Sequence, residues 1–74
     1  MADITMIPCD SSFISAYGFD QDEQVLKVRF RKDGAEVEYS SVPQLEYDRM
    51  RSDPRPGSYF RSHIYKEGYN WSRV

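Results

Sequence analysis

The stretch VLKVRFRKDGAEVEYSSV, residues 25–42, constrains the fold more than any other part of the chain. Leu26, Val28 and Phe30 alternate with Lys27, Arg29 and Arg31. That is the two-residue period of a strand with one face in a core and one in water. Val37 and Tyr39 then alternate with Glu36 and Glu38. Between the runs stands Asp33-Gly34, the dipeptide of a type I′ hairpin turn, whose central residues both need positive φ. Counting outward from that turn predicts Lys32 opposite Ala35, Arg31 opposite Glu36, Phe30 opposite Val37, Arg29 opposite Glu38 and Val28 opposite Tyr39. One face is then apolar throughout, and the other carries two pairs of opposite charge. A one-residue slip would destroy both patterns. Arg29 and Arg31, partnered in this way, become poorer phosphate ligands than the string RFRK suggests.

The hairpin needs neighbours, because two strands alone do not hold in water. FISAYGFD, residues 13–20, reads as a further strand, closed against the hairpin by the polar loop DQDE, residues 20–23. Gly18 inside it predicts a bulge or a close backbone contact. ITMIP, residues 4–8, reads as a short first strand that Pro8 ends. SSVPQLEYDRM, residues 40–50, switches to helical spacing. Ser41 and Gln44 fit a capping box, and Pro43 suits a first turn. Val42, Leu45 and Met50 are expected on its core side, with Tyr47 at the edge. Pro54, Pro56 and Gly57 stop that helix. Ser58 then caps a second short helix, YFRSHIY, with Phe60 and Ile64 on one face. The expected class is α+β: one domain over residues 1–74, with a small antiparallel sheet of three to four strands. One helix from about 42 to 52 and a second short helix cover it.

Seventy-four residues bury a modest fraction of their unfolded surface, so such a chain needs a dense core or staples. Cys9 is the only cysteine and His63 the only histidine, so neither a disulfide nor a structural zinc tetrad can form within the chain. Packing must suffice, and an aromatic fraction of 15% supplies the means. No segment approaches the ~20 apolar residues of a membrane span. The start of the chain lacks the charged and apolar regions of a signal peptide. The expectation is a cytoplasmic protein with Cys9 as a reduced, small hydrophobic residue.

No catalytic set emerges. Cys9 has no base near it in sequence. Asp20, Asp22 and Glu23 lack the twelve-residue ligand pattern of a calcium loop and read as a solvated turn. His63, between aromatics on a short helix, reads as a surface or half-buried packing residue rather than a ligand. The expectation is a non-enzymatic protein without a cofactor.

Charge is uneven along the chain. Residues 1–24 hold five acidic groups and no basic one, whereas residues 44–74 hold six basic and four acidic groups, within a net charge of −2. In GSYFRSHIYKEGYNW, residues 57–71, aromatic and basic side chains interleave. Phe60 and Ile64 are expected in the core, and Tyr39 likewise, its hydroxyl on a backbone partner. Tyr59, Arg61 and Lys66 remain for the surface, joined by Arg55 from the preceding turn. Tyr69 and Trp71 either fold back over the sheet or stay free to bind a partner; folding back is the expectation.

The order of motifs resembles the KTSC domain, a family named for the C-terminus of some lysyl-tRNA synthetases and found also as short bacterial and phage proteins. The resemblance covers about residues 11–65. The family's Y-x-Y-x-x-V-P stretch reads here VEYSSVP, with Val37 in place of the first Tyr and Tyr39, Val42 and Pro43 matching. Its G-x-Y-F element matches Gly57, Tyr59 and Phe60. Where the family often has Asn after that element and Ser two before the glycine, this chain has Arg61 and Arg55. Both departures add positive charge. For function the resemblance implies RNA binding by way of the synthetase context; no activity is established for the family.

Two functions are expected from these residues. The first is an RNA-binding module in which Arg55, Arg61 and Lys66, with Arg49 or Arg51, neutralise phosphates and Tyr59 stacks a base. The alternative is a protein-interaction module, for example a phage- or prophage-encoded protein docking on a host factor, since exposed Tyr, Trp and Arg also anchor protein interfaces.

Overall fold

The computed structural model of the chain describes residues 4–74; Asp3, counted in the acidic N-terminal segment, lies outside them. The class is α+β, as the sequence predicts, but the sheet has five strands rather than three to four. The strands are β1 (Ile7–Pro8), β2 (Ile14–Asp20), β3 (Val25–Phe30), β4 (Glu36–Tyr39) and β5 (Trp71–Arg73). Each pairs antiparallel with the next, so the sheet is a meander in chain order. Helix α1 (Gln44–Ser52) and helix α2 (Pro56–Phe60) lie between β4 and β5 in sequence.

The fifth strand is the aromatic tail, which returns to the sheet but pairs along the edge of β4 rather than lying over the sheet. Gly68, at φ +80°, turns the chain after α2. Main-chain bonds from Ser40 N–H to the Asn70 carbonyl and from Val74 N–H to the Glu36 carbonyl then flank the pairing of β4 with β5. A strand of three residues is too short to show a period, which is why the sequence left this tail between two readings.

The hairpin register differs from the predicted one by two residues. Val28 faces Val37, Leu26 faces Tyr39 and Arg29 faces Glu36. Asp33-Gly34 does not form a type I′ turn. Gly34 has φ +74°, but Asp33 is not among the residues with positive φ. Four residues form the loop instead: Gly34 N–H donates to the Phe30 carbonyl, Phe30 N–H donates to the Ala35 carbonyl, and the Asp33 carboxylate accepts from Ala35 N–H. A slip of two preserves the alternation, so apolar and charged faces survive while the charge pairs change. Glu36 takes both Arg29, at 2.6 Å, and Lys27, at 3.3 Å. Among the described residues Arg31 has no carboxylate partner. Its guanidinium donates to the carbonyls of Ser11 and Cys9, pinning the loop before β2.

Strand β2 bulges between Ile14 and Ala16, not at Gly18. The extra residue lets Ile14 and Tyr17, three apart, share the core face. Gly18 has the alternative predicted for it, a close backbone contact: a Cβ there would collide with the Thr5 carbonyl oxygen and with Ile4.

Ser41 does not cap α1. It sits at φ +58°, and Pro43 is the N-cap, without a side-chain hydrogen bond. Because the helix starts at Gln44, Val42 belongs to the buried turn, and Tyr47 and Met50 form the core side. Tyr47 is buried rather than at the edge, stacked on Phe19 with ring centres 4.7 Å apart. Leu45, predicted in the core, is 59% exposed.

Helix α2 starts at Pro56, ahead of the predicted Ser58 cap, and continues as a π-helical stretch from Arg61 to Tyr65. Phe60 and Ile64 are fully buried against Ile14, Leu26, Val28, Val37 and Tyr39. In α-helical spacing a residue five past Phe60 would turn well away from it. The wider π turn brings residues i and i+5 towards one side. Tyr65 thereby rejoins the ring cluster of Phe60, Phe13 and Phe30.

Candidate functional site

The four surface residues singled out in the sequence do not form one patch. Tyr59 turns towards α1, where its hydroxyl donates to Glu46 Oε1 at 3.0 Å. One face of its ring is stacked on His63, with centres 4.2 Å apart. Burial and the Glu46 carboxylate both push its pKa up. This ring has little free surface for a base. Arg61 points elsewhere, its guanidinium carbon 5.5 Å from the centre of the Phe13 ring. Arg55 is exposed at the start of α2, where its backbone N–H donates to the Asp53 carboxylate. Lys66 is exposed immediately after Tyr65.

Phe13, against which Arg61 lies, is one wall of a groove of about 900 Å³. Its position follows from the fold. The ring of Phe60 from α2 packs edge-on to Tyr39 of β4, and β5 pairs with the far side of β4. Phe13 precedes β2, Phe30 ends β3, Val37 and Tyr39 lie on β4, Trp71 and Arg73 on β5, and Tyr65 closes the π-helical stretch; all of them line the groove. The register sets Tyr39 opposite Trp71 and Val37 opposite Arg73, so these four side chains share the groove face.

The lining combines five aromatic rings with Lys32 and Arg73 as cations and Asp33 as the single acid. Phe13 meets Tyr65 edge to face at 5.4 Å, and Phe30 meets Phe13 in the same manner. Tyr65 is 52% exposed and Trp71 62%. They are therefore the rings with free faces. A volume of this size lies within the range of small-molecule sites.

Tyr39 differs from the expectation in one respect. Its ring is buried as predicted, edge-on to Phe60 at 5.5 Å. Its hydroxyl has no backbone partner: among the described residues it makes no hydrogen bond. Among the described residues no fully buried side-chain oxygen lacks a partner, so this hydroxyl opens on the groove that Tyr39 lines. Burial raises its pKa to about 12, with the neighbouring Tyr65 adding to the shift.

Sequence reasoning assigned Phe30 and Tyr39 to the core and left Trp71 open, and Tyr65 stood out only as part of a mixed stretch. Cys9 is buried, as expected, and burial raises its thiol pKa. His63 is exposed, with its ring on Tyr59. Among the described residues no group of three His, Cys, Asp or Glu could hold a metal ion, and no helix is long and apolar enough to cross a membrane.

The KTSC domain model matches residues 10–69. Among solved structures, a KTSC domain protein from Yersinia pestis is 25% identical in sequence, with a TM-score of 0.84 over 97% of this chain and 99% of its own. No curated protein matches the chain.

Proposed function

The chain belongs to the KTSC domain family, and we propose that this member is a non-enzymatic module that binds single-stranded RNA in the groove between the π-helical stretch and strands β4 and β5. The observation that carries this reading is the pairing of two exposed rings, Tyr65 and Trp71, with two cations, Lys32 and Arg73, in one groove. Base stacking on aromatic side chains contributes about 1–3 kcal/mol per base and tolerates any sequence. Lys32 and Arg73 meet the phosphates, and Arg61 over Phe13 extends the basic edge. The stacking role expected of Tyr59 passes to Tyr65 and Trp71, because Tyr59 is engaged by Glu46 and His63. Few phosphate contacts on a chain of net charge −2 make the binding weak and salt-sensitive.

Trp71 is the only tryptophan, so its fluorescence reports on the groove alone. The test is titration with a ten-residue oligouridylate at two salt concentrations. Quenching that weakens with salt and is lost in Lys32→Ala/Arg73→Ala supports the reading. Fluorescence unchanged at both salt concentrations rejects it, and the protein-interaction alternative then takes its place.

A further inference from the structure

We propose that Tyr39 is the residue that orients the ligand of this groove: its hydroxyl hydrogen-bonds the polar edge of an unpaired base that enters ring first, while the sugar-phosphate chain stays outside. This rests on the RNA-binding reading and adds to it an orientation and a named polar contact.

The Tyr39 hydroxyl is a polar group on an apolar floor. Only 4% of the residue is exposed, yet among the described residues its oxygen makes no hydrogen bond to the protein, and it is not sealed in the core, since no fully buried side-chain oxygen among them lacks a partner. A polar group so placed keeps a hydrogen bond to solvent or to a ligand, because leaving it unpaired costs about as much as the bond is worth. Around it the groove offers Phe30, Ala35 and Val37, which can pair with nothing polar. The remaining polar lining groups are the Tyr65 hydroxyl and the Trp71 indole N–H, on residues 52% and 62% exposed, and the side chains of Ser12, Lys32, Asp33 and Arg73. Ser12, Lys32, Asp33 and Arg73 are all exposed, at the rim.

That distribution selects a ligand group. A phosphate on the floor would give up water for apolar walls and one neutral hydroxyl, an arrangement that costs several kcal/mol per charge. A nucleobase suits it: a flat apolar body against Phe13, Tyr65 and Trp71, and a polar edge to meet one hydroxyl. The phosphates then remain at the depth of Lys32 and Arg73. A phenol is protonated at neutral pH, so the hydroxyl can donate to a base carbonyl throughout the physiological range.

The experiment compares fluorescein-labelled oligouridylate of ten residues with a ten-residue abasic sugar-phosphate chain, by anisotropy, on the wild-type protein, Tyr39→Phe and Trp71→Ala. Removing one neutral hydrogen bond is expected to weaken oligouridylate binding about 3- to 10-fold in Tyr39→Phe, without change on the abasic chain. Wild-type protein that binds oligouridylate and loses it in Trp71→Ala, yet is unaffected by Tyr39→Phe, overturns the role of Tyr39 and leaves the groove reading standing. Wild-type protein that holds the abasic chain as tightly as oligouridylate overturns the ring-first orientation, and this comparison decides even if Tyr39→Phe does not fold. No binding of either chain by the wild type overturns both readings.

Discussion

Tyr59 and Glu46, thirteen residues apart, join α2 to α1 through one hydrogen bond, from the phenol to the carboxylate Oε1 at 3.0 Å. Arg61, only two residues further on, lies over Phe13 at the groove. The two side chains leave this helical segment in different directions. A bond to a partly exposed carboxylate contributes about 1 kcal/mol. Tyr59→Phe is therefore expected to lower the denaturant midpoint without changing RNA affinity. Arg61→Ala is expected to do the reverse, reducing the slope of log K against log salt by about 0.7, the value of one phosphate contact on a single strand. Tyr59→Phe that abolishes RNA binding at unchanged stability would return the stacking role to Tyr59.

Glu36 reads out the hairpin register. Arg29 holds its carboxyl below the ordinary value of 4.5, with Lys27 assisting. In the register predicted from the Asp33-Gly34 turn, Glu36 would have faced Arg31 instead. A depressed folded pKa stabilises above the unfolded pKa, and the contribution is lost as pH falls through the folded one. Glu36→Gln is expected to be less stable than wild type at neutral pH, with the two melting curves converging in acid. Arg29→Gln should reproduce that behaviour, and Arg31→Gln should not. If instead Arg31→Gln removes the pH-dependent part and Arg29→Gln does not, the sequence-based register is the correct one.

These two cases mark what the sequence could carry. Alternation fixed which face of the hairpin is apolar, because a strand's period is two; it could not distinguish registers two residues apart, since both obey the same pattern. Phe60 and Ile64 were legible as core from their spacing of four. Tyr65 was not placed with them, because only a π-helical stretch brings a residue five places on back to that side. The groove was hidden for a related reason. Its lining comes from the segment before β2, the hairpin, the end of α2 and a three-residue strand, none of which advertises a shared surface. Phe30 and Tyr39 carry an ordinary core pattern, and they are core on one side while lining a groove on the other.

Gly57, the glycine of the G-x-Y-F element, has a packing role that can be tested apart from function. A Cβ at this position would lie 2.6 Å from Ser11 Cβ and closer still to its hydroxyl oxygen. That oxygen already accepts from the Phe13 N–H, so it is not free to swing aside without loss. Alanine would gain up to about 1 kcal/mol of helix propensity, while overpacking costs about 1–3 kcal/mol. The clash is expected to win, and Gly57→Ala should lower the melting temperature. Adding Ser11→Gly should recover most of the loss by removing both colliding atoms. A Gly57→Ala variant more stable than wild type would show that the loop before β2 yields readily.

Tyr39 supplies a prediction at the opposite end of the pH scale. Burial raises its folded pKa from 10 to about 12. The neutral phenol is common to both states below pH 10. Between 10 and 12 the folded chain keeps a proton that the unfolded chain releases, so this group's contribution is fully present below the unfolded pKa and is lost as pH rises through the folded one. Alkaline denaturation of the wild type is therefore expected to begin at lower pH than that of Tyr39→Phe, which has no phenol to ionise at this position. Ultraviolet absorbance of phenolate measures the same property directly. The wild-type titration minus that of Tyr39→Phe should isolate one of the six tyrosines, with its midpoint near 12. A difference curve centred at 10 would mean that the ring is freely hydrated, and the Tyr39 hydroxyl would then be no part of an apolar groove floor.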